Sequence, residues 1–232
     1  MLLEVIVQSV ADARAATEGG ADRLEVVRAI VDGGLTPLLE TVEAIRAETS
    51  LPLRVMVREN AGFELQPGEL PALRRAAAAC AAMGVDGLVV GFARGGVPLV
   101  GDLERVLDVV PAARITFHRA FDALDDPLGA IPALTAIPGI DRILTSGGSG
   151  SAEARCARLI EYVRAAGPRV AIIAGGGVDE EAVSLFARRG CVREIHVGRA
   201  AREGGAADGP VSAGRVRHLK GLIAANSVPP TS

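Results

Sequence analysis

Gly20-Ala-Asp-Arg-Leu-Glu-Val26 returns as Gly84-Val-Asp-Gly-Leu-Val-Val90, Gly139-Ile-Asp-Arg-Ile-Leu-Thr145 and, more loosely, Gly190-Cys-Val-Arg-Glu-Ile-His196. In each copy a glycine closes a helix, an apolar residue follows, and a strand rich in Leu or β-branched residues begins. The copies start 64, 55 and 51 residues apart, room for about two strand–helix units each. Between them fall strands of a second kind, Leu53-Arg-Val-Met-Val-Arg58, Arg114-Ile-Thr-Phe-His118 and Arg169-Val-Ala-Ile-Ile173, and Leu3-Glu-Val-Ile-Val7 opens the series. That makes eight candidate strands.

Helical patterns fill the intervals. Ser9 reads as an N-cap with Asp12 three residues on, and Gly19-Gly20 ends that helix. Thr36-Pro37 reads as an N-cap followed by proline at the first helical position, opening a helix to about Ser50. Further helices are expected over Glu69–Met83, Leu103–Val110, Pro127–Ala136, Ala152–Ala166, Glu180–Arg188 and Ala213–Ala224. The strands are nearly continuous apolar runs, as expected of a parallel sheet covered on both faces. Alternation of about eight strands with helices predicts an α/β fold, a TIM-type (β/α)8 barrel in a single domain over residues 1–225. A tail over 226–232 is expected to be disordered. The rival, a doubly wound sheet, lacks support: no G-x-G-x-x-G follows the first strand and no Walker loop occurs.

Composition agrees. Hydrophobic residues make up 49% of 232, and 28 glycines raise the core-compatible share further, which excludes disorder. With 25 Lys and Arg against 28 Asp and Glu, 3% aromatics and no Trp, neither a basic nucleic-acid surface nor a base-stacking platform is expected. Three scattered cysteines, Cys80, Cys156 and Cys191, suit a reducing compartment. No signal peptide and no run of about 18 apolar residues is found, so a cytoplasmic protein without a membrane span is expected.

In such a barrel the working face lies at the carboxyl ends of the strands. Arg58, Glu59 and Asn60 follow the third strand; His118, Arg119 and Asp122 end the fifth; Thr145-Ser146-Gly147-Gly148 end the sixth. Gly175-Gly176-Gly177 end the seventh, and His196-Val-Gly198-Arg199 the eighth. Asp22, Asp86, Asp141, Arg114 and Arg169 sit instead at strand starts, where they lock the bottom of the barrel. Glu4 and Glu25 each lie inside a strand, and an ionised carboxylate there requires a partner such as Arg23, Arg54 or Arg58. They read either as an interior ion pair or as a general base moved by burial. His118 is the strongest acid/base candidate, with Arg119 and Asp122 beside it, and His196 is the second. His218 falls on the last helix and is expected to face solvent. The glycine loops, Ser146-Gly147-Gly148, Gly175-Gly176-Gly177 and Gly198, offer backbone N–H groups for a phosphate, or simply turn geometry. No metal site is read from the residues: Cys80 and Met83 share a helix face but fit core packing, and no His/carboxylate spacing suits zinc.

The chain resembles the CutC family, often called copper homeostasis proteins. The resemblance rests on Leu3-Glu-Val5, Glu18-Gly-Gly-Ala-Asp-Arg-Leu-Glu25, Gly33-Gly-Leu-Thr-Pro37, Val55-Met-Val-Arg58, Thr116-Phe-His-Arg-Ala-Phe-Asp122, Arg142-Ile-Leu-Thr-Ser-Gly-Gly148, Gly175-Gly-Gly-Val178 and Glu194-Ile-His196. It implies a TIM-type barrel, a cytoplasmic homodimer and, as cofactor, copper. Many members carry cysteines where this chain has Ile6 and Val27, and aliphatic side chains cannot ligate Cu(I). The family's Arg-Pro-Arg-Gly-Gly-Asp-Phe-like loop is altered here to Arg58-Glu-Asn-Ala-Gly-Phe63. Two functions are therefore expected in competition: a copper-homeostasis protein, and a metal-independent acid/base enzyme of isomerase, lyase or aldolase type acting on a small, phosphorylated or otherwise anionic metabolite. A barrel kept as a binding or scaffold subunit is a third.

Overall fold

The computed structural model describes residues 1–226. The expected tail beyond 226 lies outside the described residues, and Asn226 itself ends the last helix. Eight parallel strands close into a barrel: β1 (Leu2–Val7), β2 (Arg23–Val26), β3 (Leu53–Met56), β4 (Gly87–Val90), β5 (Ile115–Phe117), β6 (Ile140–Thr145), β7 (Ala171–Ala174) and β8 (Glu194–Val197). They pair in chain order, and β8 returns to β1 through Leu2↔Glu194 to Val5↔Val197. Eight helices form the outer layer: α1 (Val10–Glu18), α2 (Leu39–Glu48), α3 (Leu70–Ala82), α4 (Val100–Leu107), α5 (Pro127–Ala136), α6 (Ala152–Ala166), α7 (Glu180–Arg189) and α8 (Ala213–Asn226).

Strand side chains alternate between two faces. Leu3, Val5, Leu24, Val26, Leu53, Val55, Leu88 and Val90 point outward and share one core with helix residues such as Ala13, Val42, Ile45 and Leu73. The inward set is charged at its lower end, where branched aliphatics are usual. Arg54, fully buried, holds Asp86 at 2.9 Å and both oxygens of Asp141 at 3.0 and 2.7 Å. Arg23 binds Glu4 and reaches Glu194 at 2.6 Å, and Arg142 binds Asp141 and holds Glu194 at 2.9 Å. Arg114 approaches Asp86 at 3.3 Å, and Lys220 caps Asp22 at 2.7 Å. Gly87 makes room for this network, since a Cβ there would collide with the Arg54 guanidinium and lie 2.5 Å from Arg114 O. Arg169, grouped with these residues from the sequence, instead bonds Thr135 O on the outside.

Capping follows the sequence in part. Ser9, Asp126, Ser151 and Asp179 each accept a backbone N–H at a helix start. Thr36 does not cap α2, which starts at Leu39. Its hydroxyl accepts from Arg58 N at 2.8 Å and donates to Arg58 O at 2.9 Å, tying the loop after β2 to the end of β3. α4 begins three residues earlier than its apolar spacing suggests, and β7 starts at Ala171 rather than Arg169. A short hairpin, Ala93–Arg94 with Val97–Pro98, follows β4 and has no counterpart in the sequence reading. Arg202, buried, bonds Ile6 O at 3.1 Å and Asp12 at 3.3 Å, strapping the C-terminal loop to the end of β1.

Candidate functional site

Parallel register decides what stands inside the barrel mouth. Glu4 lies opposite both Arg23 and His196, and Ile6 lies opposite Glu25. Because the strand repeat is two, Glu4 and Ile6, Glu25 and Val27, Met56 and Arg58, and His196 and Gly198 share the inward face. Above them opens a cleft of about 1040 Å³ at the carboxyl ends of the strands. Glu25, Arg58, His118, Arg119, Gly176, Gly177, His196 and Gly198 all line it.

Glu4 sits one step deeper. It binds Arg23 and lies 2.7 Å from His196 Nδ1. Burial alone would raise the Glu4 carboxyl, but Arg23 and His196 outweigh it and hold the group well below the usual carboxylate range. The other ring nitrogen of His196, Nε2, lies 3.5 Å from Glu25 Oε2. Glu25 Oε1 is buried without a hydrogen-bond partner. Burial pushes the Glu25 carboxyl up to about 7, with the nearby Glu4 charge adding to the effect against the opposing pull of His196. Burial works to lower His196, yet Glu25 and then Glu4 raise it overall. Arg23 pairs with Glu4, and His196 and Glu25 are each held above their ordinary values by what surrounds them.

His118 occupies a different environment. It is buried, and Nδ1 accepts from Ala120 N at 3.1 Å, leaving Nε2 for the cleft that it lines. A ring that accepts at Nδ1 carries its proton at Nε2 when neutral. Burial, reinforced by the Arg58 charge, lowers His118 to about 3. The two histidines thus sit in opposite environments, His118 held neutral by burial and Arg58, His196 raised by Glu25 and Glu4. Gly91 permits this placement, because a Cβ there would lie 2.9 Å from His118 Nδ1.

Arg58 is wrapped by its own loop. Its guanidinium donates to Gly62 O at 3.2 Å, Gly33 O at 3.3 Å and Ala61 O, and stands 4.9 Å from the centre of the Phe63 ring. Its side chain is in no ion pair among the described residues, so the positive charge is solvated by carbonyls but not neutralised. Burial and then Arg119 lower its proton affinity. Arg119 uses Nε for Asp122 at 2.9 Å and is half exposed at the cleft wall.

Other predicted residues lie behind the cleft. The Asp122 carboxylate accepts from Thr145 Oγ1 at 2.6 Å and from Ser146 N at 3.0 and 3.1 Å. Gly147 N donates to Thr145 Oγ1 at 3.0 Å and Gly148 N to Ser146 Oγ at 3.1 Å. The Ser146-Gly147-Gly148 amides are therefore committed inside the protein, with Asp122 standing where an anion was expected. Gly175 also differs from its expected part: its N–H donates to Thr145 O at 2.8 Å, and a Cβ would lie 2.6 Å from Leu144 and 3.0 Å from His196. Gly176 and Gly177 do face the cleft, their carbonyls held by Arg155 at 3.0 and 3.3 Å. Asp179, Glu180 and Glu181 share that wall, which makes its charge mixed.

The sequence reading passed over the loop after β2. There Ile30, Asp32, Gly33 and Gly34 reach the cleft, with Ala29 at φ 49° and Ile30 N held by Gln8 Oε1 at 3.0 Å. The adjacent glycines Gly33-Gly34, both at positive φ in the structure, were the available signal in the sequence. Among the described residues no group of three or more His, Cys, Asp or Glu side chains is arranged to hold a metal ion. Ile6 and Val27, where the family resemblance implies cysteines, are aliphatic, and both line the cleft. Cys80 is fully buried in the core, its thiol pushed up to about 11 by burial, and Met83 packs against that core. Cys80 and Met83 therefore offer no donor to the cleft.

Fold and site together define a closed (β/α)8 barrel with an ionisable cleft at its carboxyl-end rim. The chain belongs to the CutC family, whose family model matches residues 1–201. It is 34% identical over 216 residues to the family protein CutC of Xanthomonas campestris pv. campestris strain B100, covering 92% of this chain and 86% of the relative. It is 31% identical to the mouse protein named copper homeostasis protein cutC homolog, covering 88% of this chain and 76% of that one. A crystal structure of a CutC protein from Streptococcus agalactiae shares the fold, with a TM-score of 0.77 at 24% identity, covering 84% of this chain and 97% of that one. No helix among the described residues is long and apolar enough to cross a membrane.

Proposed function

We propose that this chain is a metal-independent acid/base enzyme of isomerase, lyase or aldolase type, acting on a small anionic metabolite. One observation carries the reading: Glu25 presents an unpartnered, buried carboxylate oxygen beside His196 at the bottom of a cleft that also holds Arg58, which is in no ion pair among the described residues, and Arg119. A carboxyl near neutrality is suited to take a proton from a carbon next to a carbonyl and to return it. In that step the C–H proton passes to Glu25, and the bonding electron pair moves onto the carbonyl oxygen. The neutral Nε2–H of His118 is a fixed donor for that oxygen, while Arg58 and Arg119 favour negative charge. Ionised Glu4 orients His196 and is a positioning residue.

The copper role attached to the mouse relative's name is carried to this chain as an indirect one, without direct Cu(I) ligation, because Ile6 and Val27 offer no donor atom. A cytoplasmic homodimer is part of the same proposal: three dispersed free cysteines suit a reducing compartment, and the dimer is carried from the family resemblance. Mass spectrometry of small molecules that co-purify with the native protein, with metal analysis of the same sample, tests the reading. A bound anionic metabolite without stoichiometric copper is expected. One copper per chain, lost on changing Cys80 or Met83, would overturn it.

A further inference from the structure

The cleft has two chemically different halves. On one side stand Arg58, Arg119 and the Nε2 edge of His118. Arg58 is buried, and the four carbonyls it meets are uncharged, so no carboxylate is in direct contact with it among the described residues, although the Asp32 charge acts on it from nearby. On the other side Val27, Met56 and Val89, with Ile6 and Ile30 against them, form an apolar cluster separate from the main core. Four of these five, all but Val89, line the cleft. Adjacent glycines join the halves: a Cβ on Gly33 would lie 3.0 Å from Arg58, and one on Gly34 would lie 3.2 Å from Val27 and 3.4 Å from Met56. Glu25 lies under the apolar half, on the same strand face as Val27 and opposite Ile6 in register.

We infer that the occupant of this cleft is an amphipathic oxyanion, a carboxylate or phosphate monoester on a short hydrocarbon body, with its charged end on Arg58, Arg119 and His118 and its carbons against Ile6, Val27, Ile30 and Met56. The inference deepens the acid/base reading and rests on the cleft being a substrate site. A ligand rich in hydroxyls would leave them unpaired against four aliphatic or thioether side chains, where a buried polar group without a partner is costly. An inorganic anion would satisfy the cations but leave the apolar wall wet. The two sources of the oxyanion share this chemistry and differ only in the head group.

Calorimetric titration of the full-length protein with two homologous series tests it: acetate to hexanoate, and methyl to hexyl phosphate, with inorganic phosphate alongside. In the series with the matching head group, affinity rises two- to four-fold per methylene over the first few carbons. Val27→Asn flattens that rise, and Met56→Gln does the same should the first variant not fold. Arg58→Gln weakens every member. Equal affinity across chain lengths, tight binding confined to inorganic phosphate, or no binding by either series would each overturn the inference. Glu25→Gln keeps the chain-length dependence. A flat series in a protein whose Glu25 titrates near neutrality sinks the ligand class alone, whereas a rising series with an ordinary Glu25 sinks the acid/base reading alone.

Discussion

His196 Nδ1 lies 2.7 Å from Glu4 Oε1, and the opposite nitrogen of the same ring lies 3.5 Å from Glu25 Oε2, so one imidazole joins two buried carboxylates. The two acids are not equivalent. Glu4 is held ionised by Arg23, while among the described residues no Arg or Lys pairs with Glu25. Two identical side chains on neighbouring strands are thus driven in opposite directions by what faces them.

Stability should record the raised Glu25 carboxyl. Its folded value of about 7 exceeds the ordinary 4.5, so the folded state binds the extra proton between those pH values. The contribution is full below pH 4.5, falls as pH rises, and is gone above 7. Its size is on the order of 3 kcal/mol. Urea denaturation of wild type and Glu25→Gln at pH 4.5 and pH 8 should show wild type losing about that much relative to the variant. A constant difference between the two would contradict the assignment.

His118 should stay neutral in mildly acidic solution, since burial and Arg58 lower it to about 3. Nitrogen-15 imidazole shifts at pH 5 are expected to show protonated Nε2 and unprotonated Nδ1. An imidazolium signal from His118 at that pH rules out the fixed-donor role.

Arg54 carries the base of the barrel. Its replacement by Met removes the shared partner of Asp86 and Asp141, which keep Arg114 and Arg142, a loss of about 1–3 kcal/mol. Chemical denaturation measures it, and a cost under about 1 kcal/mol would show that water replaces the guanidinium freely.

Two glycines of the run after β7 should respond differently to alanine. At Gly175 the added methyl meets Leu144 and His196, so overpacking of about 1–3 kcal/mol and a displaced imidazole are expected. Gly177 has nothing within 4 Å of its Cβ position, and φ of +65° makes backbone strain of about 1–2 kcal/mol its whole cost. Denaturation reports both costs, and the His196 NMR signals should move only for Gly175→Ala.

The strand–helix alternation and the placement of His118, His196, Glu25 and Arg58 at one rim were legible, because strand ends in a parallel barrel converge whatever lies between them. Asp22, Asp86 and Asp141 likewise announced a bottom layer through the repeated Gly-x-Asp start. What could not be read was partnership. Nothing local distinguishes Asp122 at the cleft from Asp122 folded back onto the Ser146 amide, since the contact spans 24 residues. Nor does a Gly-Gly-Gly run say that Gly175 bonds back to Thr145 O just past β7 and makes room for His196. The environments of His118 and His196 were equally hidden, because burial and charge arrive from other strands.

The central claim is that Glu25 titrates near neutrality in contact with His196. Carbon-13 NMR of glutamate-labelled protein, with Glu25→Gln assigning the signal, follows that carboxyl directly across pH 3 to 9. A midpoint near 7 that rises when His196 is replaced by a neutral side chain and falls when Glu4 is replaced by Gln is the predicted result. A midpoint at the ordinary 4.5, indifferent to both neighbours, would contradict the account.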